Sequence, residues 1–212
     1  MTDIYIVRHC EITSNESATF AGMTDCDITE RGQKQLDALS ERFKEVKLDK
    51  IYATSRIRAK KTANAMNRYS GAPIETDDGF MEIYLGELEG KPVSSLTGER
   101  RYNWFNALHL FDAPGGESMD DVLKRAWASL IKVVEENDGK TVGISCHGGA
   151  IINITQKLLG LPREELGNVG WADNTAVCHV VFDGPDKWEL LYENDSSHLT
   201  DDIRSAPVSS WK

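Results

Sequence analysis

Ile4-Tyr5-Ile6-Val7-Arg8-His9 and Thr141-Val142-Gly143-Ile144-Ser145-Cys146-His147-Gly148-Gly149 are the two stretches on which the reading of this chain turns. Each is a short β-branched or aromatic run ending in a histidine, and the second passes straight into glycines and an apolar periodic segment. Short apolar runs bounded by turn-forming residues read as buried strands. Working outward, Ile51-Tyr52-Ala53 is a third such run and Ile74-Glu75-Thr76, after Gly71 and Pro73, a weaker fourth. Strands alternating with helices build an α/β sheet covered on both faces, and such sheets bind ligands beyond the carboxyl ends of their strands. Both histidines therefore belong at one edge.

The helices between these strands are legible from spacing. Leu36, Leu39, Phe43 and Val46 make one apolar stripe, which predicts a helix over 29–46 behind Thr29 as N-cap. An Ala-rich helix is expected from Arg56 to Tyr69, and Ser118 with Asp121 opens a long helix in capping-box fashion. A further helix runs through Leu159, and Thr175 to Asp183 with Lys187 to Glu193 forms a hairpin across Gly184-Pro185. Residues 77–116 are rich in glycine and proline and read as irregular around one helix near 99–108. So long an irregular stretch in a compact domain is usually functional.

Composition narrows the class. The 212 residues carry 24 basic and 34 acidic side chains, a net charge of -10. That balance argues against nucleic acid and against an anionic membrane surface as partners. No apolar run approaches the ~18 residues that a membrane span needs. The start of the chain, Met1 into Asp3 and the first strand, has no signal-peptide pattern. Cys10, Cys26, Cys146 and Cys178 show no CxxC spacing and read as reduced thiols, so a cytoplasmic location is expected. With no repeat or linker, one domain over 1–195 is expected, followed by a loose polar tail over 196–212.

The strand ends suggest chemistry. Arg8 and His9 leave one strand, His147 leaves another, and Arg58 lies in the first turn after a third. Guanidinium forks and the N–H groups of a helix start are the best ligands for a phosphate dianion, and Arg8, Arg58 and the Gly148-Gly149 turn supply them. A neutral imidazole is a competent covalent nucleophile toward phosphorus. Phosphoryl transfer asks mainly for positioning and charge, which cations supply without a metal. The leaving alcohol needs a proton, and Glu82, in the glycine-rich region, is the carboxylic acid best placed to deliver it.

In order and spacing these residues resemble the histidine phosphatase superfamily, which includes the cofactor-dependent phosphoglycerate mutases. The likeness rests on Val7-Arg8-His9-Cys10-Glu11-Ile12-Thr13-Ser14-Asn15, Phe20-Ala21-Gly22, Ile28-Thr29-Glu30-Arg31-Gly32, Ser55-x-x-Arg58-Ala59-x-x-Thr62-Ala63, Glu82-x-x-x-Gly86-x-x-Glu89-Gly90, Gly115-Gly116-Glu117-Ser118 and Cys146-His147-Gly148-Gly149. The resemblance implies a three-layer α/β sandwich on a six-stranded, mostly parallel sheet with one antiparallel strand. It makes His9 the phosphorylated nucleophile and Glu82 the proton donor, with Arg8, Asn15, Gly22, Arg58, His147 and Gly148 around the phosphoryl group. No catalytic metal and no cofactor are implied, and the partner is a small phosphorylated metabolite.

Two positions depart from the pattern. Cys10 stands where a glycine is expected and Ile12 where a threonine is. A Cβ at Cys10 is expected to narrow the pocket or shift the loop, and a thiol beside Arg8 raises the alternative of an oxidisable, low-pKa cysteine. A zinc site on the two Cys-His pairs is disfavoured, because adjacent strand residues point to opposite faces. Leu85 replaces the tyrosine that the mutases carry three residues after the acid, which favours water as acceptor over mutase-type transfer. Arg100 and Arg101 are candidates for a second anion subsite or a solvated helix face, and Tyr102, Trp104 and Phe105 for a specificity wall or for packing the loop onto the sheet. A catalytically weak phospho-ligand-binding module is the reading from another class. Gly143-Ile-Ser145-Cys-His147 lacks the second glycine of a serine hydrolase elbow.

Overall fold

Six strands, β1 (Thr2–Arg8), β2 (Lys50–Ala53), β3 (Ile74–Thr76), β4 (Thr141–Cys146), β5 (Val177–Phe182) and β6 (Trp188–Asp195), form one sheet in the order β3-β2-β4-β1-β5-β6. This is a computed structural model, and it describes residues 1–211 apart from the side chain of Ser209. β1 to β4 are mutually parallel, while β5 runs antiparallel to both β1 and β6, so a single strand opposes the other five. The fold is the expected three-layer α/β sandwich. Its helices are α1 (Thr13–Glu16), α2 (Glu30–Arg42), α3 (Ile57–Met66), α4 (Gly98–Asn106), α5 (Met119–Glu136), α6 (Gly148–Leu158) and α7 (Leu166–Val169).

Side-chain alternation along β1 builds both faces. Ile4 and Ile6 join Val142, Ile144, Leu130 and Ile154 beneath α5 and α6, whereas Val7 joins Leu36, Leu39, Phe43 and Met66 beneath α2 and α3. A third cluster, including Phe20, Leu85, Trp104 and Val208, lies among the loops beyond the strand ends. The glycine-rich region 77–116 is thus packed rather than open.

Local signals held where capping groups were visible. Thr29 Oγ1 accepts from Gly32 N at the start of α2, and Ser118 with Asp121 completes a capping box on α5. Both middle helices stop earlier than their periodicity predicts. Phe43 is already the C-cap of α2, and α3 ends where the Asn67 amide closes a loop onto the backbone N–H and carbonyl of Ala72.

The expected loose tail over 196–212 is a correction, because its described part, 196–211, is docked. Leu199 and Val208 are buried, and Arg204 Nη1 reaches Asp173 Oδ2 at 2.9 Å. The buried Gln35 amide donates to Ile203 O and Ser205 Oγ, each at 2.9 Å. The anchors are two isolated apolar residues in polar surroundings, too sparse for a composition or period signal. Lys212 lies outside the described residues.

Arg42 on α2 ties the end of β6 to this segment, its Nη2 lying 2.6 Å from Asp195 Oδ2. That hydrogen bond is the main lowering influence on the Asp195 carboxyl, which is held at about 2. A carboxyl whose folded pKa is depressed contributes stability above its unfolded pKa and loses it as pH falls through the folded value. Asp195→Asn is therefore expected to cost on the order of 1 kcal/mol near pH 6, solvent screening allowed for. The gap from wild type should close between about pH 4 and pH 2 in thermal melts.

Candidate active site

The parallel register sets Arg8 opposite Cys146, so the next residues, His9 and His147, emerge side by side. Their ring centroids are 5.2 Å apart at 57°. His9 Nδ1 lies 2.7 Å from the Cys10 carbonyl, which can only accept. Nδ1 therefore carries the hydrogen, and Nε2 is the nitrogen with a free lone pair. Both histidines are buried. Burial, then the charges of Arg58 and Arg8, hold His9 well below the usual imidazole range; burial and Arg58 act likewise on His147.

Arg58 sits beneath the pair, fully buried at the start of α3. Its Nε donates to His147 Nδ1 at 3.3 Å, its Nη1 to Thr24 O at 2.8 Å and its Nη2 to Gly22 O at 2.7 Å. With Nδ1 accepting, His147 Nε2 donates to Thr54 Oγ1 at 2.8 Å. The loop that Arg58 grips is clamped from outside by Glu89, which accepts from Met23 N and from Thr24 Oγ1 at 2.8 Å each. Gly22 is required here, since a Cβ would lie 2.2 Å from Ile83 O. Arg8, also buried, donates from Nη1 to Ala172 O, while its buried Nε has no partner among the described residues.

Glu82 faces this cluster. Its Oε1 accepts from its neighbour Ile83 N at 2.9 Å and from Gly149 N, in the first turn of α6, at 2.8 Å. A Cβ on Gly149 would stand 2.2 Å from that oxygen, so only glycine allows the contact. The loop carrying Glu82 is fixed by Arg125 of α5, which donates to the carbonyls of Gly79, Met81 and Glu82 and forms a two-point pair with Glu117.

Arg8, His9, Asn15 and Glu82 line one cleft together with apolar side chains. Asn15 Oδ1 accepts from Ile12 N and from Asn174 Nδ2, which leaves its own Nδ2 toward the cleft. Arg58, His147, Gly22 and Gly148 do not line this cleft: Arg58 and His147 are fully buried next to His9, Gly22 contributes a carbonyl to Arg58, and Gly148 opens α6 against Trp171 and Arg8 Nε. The sequence reading missed Thr54, Arg125, Asn174 and Trp171. Asn174 had a topological signal: the start of an antiparallel strand lies at the same edge as the ends of its parallel neighbours, and its Nδ2 holds His9 O at 2.9 Å.

One expectation, at Cys10, is corrected, and of the two readings left open for Arg100 and Arg101 the one outside the cleft stands. Cys10 neither narrows the cleft nor offers a reactive thiol. Its side chain joins the core under α2 and α3, its N–H donates to Thr62 Oγ1, and burial pushes the thiol up to about 11. Arg100 and Arg101 are not at the cleft; Arg100 is exposed, and Arg101 lies over the Phe105 ring with 5.2 Å from Cζ to centroid. Of the three aromatic residues nearby, Trp104 lines the cleft.

The histidine phosphatase superfamily (branch 1) model matches residues 4–196. The chain belongs to the histidine phosphatase superfamily. Among similar proteins is "Putative phosphoserine phosphatase 2" of Hydrogenobacter thermophilus, 31% identical over 93% of this chain and 98% of the relative. "Probable phosphoglycerate mutase GpmB" of Salmonella choleraesuis is 30% identical over 94% of this chain and 95% of its own. The solved structure of Bacillus stearothermophilus YhfR superposes with a TM-score of 0.88 at 28% identity, covering 93% of this chain and 99% of that one.

For this histidine phosphatase the buried cationic cluster has a measurable consequence. A histidine whose folded pKa is lowered binds fewer protons than the unfolded chain below about 6.5, so these sites lose stability as pH falls and stay neutral above it. In an NMR titration the His9 and His147 ring signals are expected to hold still over roughly pH 5.5 to 8, where an unperturbed histidine titrates. A midpoint near 6.5 for either ring contradicts the buried, neutral assignment.

Proposed function

We propose that this chain is a phosphatase that hydrolyses a small phosphomonoester through a phosphohistidine on His9, without a catalytic metal. The observation that carries the reading is the locked His9 ring, whose Nδ1 is bound to the Cys10 carbonyl and whose Nε2 is left at a cleft it shares with Glu82. In the first step Nε2 attacks phosphorus as the ester P–O bond breaks, and Glu82 gives its proton to the departing alcohol. In the second, Glu82 as carboxylate takes a proton from water, whose oxygen attacks phosphorus and breaks the P–N bond. With Oε1 held by two backbone N–H groups, Oε2 is the oxygen that carries the proton.

Charge on the transferring group is met by Arg8, whose Nε has no partner among the described residues, by Asn15 Nδ2 and by the N-terminus of α6. Arg58 and neutral His147 act from below, as fixed charge and dipole. Water as acceptor, rather than a sugar acid, is supported by Leu85 in the wall and by the distance of Arg100 and Arg101 from it, which leaves a second anionic group without a cation pair. A cytoplasmic setting is supported by four free thiols, and no described helix is long and apolar enough to cross a membrane.

Two tests follow from the roles assigned. Mixed with a 32P-labelled ester in EDTA, without bisphosphoglycerate, wild type should release phosphate and yield acid-labile label on His9 when quenched. His9→Ala should lose turnover by a factor of about 10³ or more, and label on another side chain rejects the mechanism. Glu82→Gln should lower kcat on an alkyl phosphate by about 10²-fold or more but hardly affect nitrophenyl phosphate, whose leaving group needs little protonation. Equal losses on both would remove Glu82 as the acid.

A further inference from the structure

Beyond the phosphoryl site, the cleft has a wall unlike a receptor for the charged metabolites named for its relatives. Phe20, Leu85, Trp104, Trp171, Val208 and Trp211 form it. Trp104 is the centre: its ring meets Phe20 edge-on at 5.1 Å, Phe111 at 4.8 Å and Trp171 at 5.2 Å between centroids. Trp211 and Val208 come from the docked C-terminal segment, held down by Arg204 to Asp173 and by Gln35. Among the described residues, Arg8 is the only Lys or Arg lining the cleft, and it stands at the phosphoryl end.

A carboxylate on the leaving group, as in phosphoserine or a phosphoglycerate, would enter this wall with no cation to replace its water, and with the Glu82 carboxyl nearby. Desolvating an unpaired carboxylate is strongly unfavourable. An apolar or aromatic group gains from the same surroundings through area removal and edge or stacked ring contacts. Trp104 adds one polar feature, a buried indole N–H without an acceptor among the described residues. That neutral donor suits a hydroxyl or ether oxygen and is a poor substitute for a cation.

We propose that the leaving group recognised here is an uncharged, apolar and preferably aromatic alcohol, so the preferred substrates are phosphomonoesters of such alcohols rather than of hydroxy acids. This rests on the phosphatase reading above. The wall selects by side chains on three separate segments: the loop at Phe20, α4 with Trp104, and the end of the chain with Val208 and Trp211.

The test compares kcat/KM for 3-phenylpropyl phosphate, phosphoserine and 3-phosphoglycerate. All three leave as alkyl alcohols, so the differences report recognition more than leaving-group strength. The phenylpropyl ester should be favoured over both acids by about 30-fold or more, the range expected from burying an aromatic group. Trp211→Ala, at a partly exposed position where folding is little at risk, should cut that ratio by about tenfold, mostly through KM. Circular dichroism and a melt confirm that the variant is folded. Equal or greater kcat/KM for either acid overturns the proposal while leaving the phosphatase reading intact, and so does an unchanged ratio in folded Trp211→Ala. Failure to turn over any of the three esters, together with no label on His9, defeats the phosphatase reading itself.

Discussion

Two buried positive charges with no ion-pair partner among the described residues, and Glu82 as their leading nearby counter-charge, are the constraint on which the rest of this structure depends. Neither Arg8 nor Arg58 forms an ion pair among the described residues, and burial opposes the charged state of both. Taking a guanidinium out of water is costly unless fixed dipoles or a counter-charge replace the solvent. Here backbone carbonyls do so in part: Ala172 for Arg8, and Gly22 and Thr24 for Arg58. The remaining deficit is what an incoming dianion relieves. Burial first, and then the same charges, keep the two imidazoles unprotonated, so the site holds anion affinity and a free nitrogen lone pair together.

Holding that arrangement takes a second layer of contacts. Glu89 clamps the loop whose carbonyls Arg58 uses, and Arg125 with Glu117 clamps the loop that presents Glu82. Asn174 links His9 to Asn15 from the antiparallel side of the sheet. Each is a long-range tie, so preorganisation resides in the loops as much as in the strands. That layout fits chemistry in which positioning and charge placement do most of the work.

The sheet edge was legible because β1 and β4 are short apolar runs, each leading into one histidine, and their parallel pairing leaves those histidines adjacent. Glu82 was legible by motif and not by local structure, for the loop around it has no period. Cys10 shows the limit from the other side: the type of residue could be read, but not the face on which its Cβ falls. In the structure that face is the core under α2 and α3. Residues 196–211 were misread because Leu199 and Val208 anchor a mostly polar segment through single contacts, and hydrogen bonds from Gln35 and Arg204 complete the docking. Arg125 carried no sequence signal, since it joins Glu117, eight residues back, to backbone carbonyls far earlier in the chain.

The distribution of tryptophan has an optical consequence. Of the five indoles in the chain, Trp104, Trp171 and Trp211 border the cleft. The other two, Trp127 and Trp188, pack edge to face at 5.3 Å on the far side, where α5 and α6 meet the hairpin. Intrinsic emission therefore divides into a group that senses occupancy of the cleft and a group that senses only the integrity of the sheet. The protein carries its own reporter and its own internal reference, with no added dye.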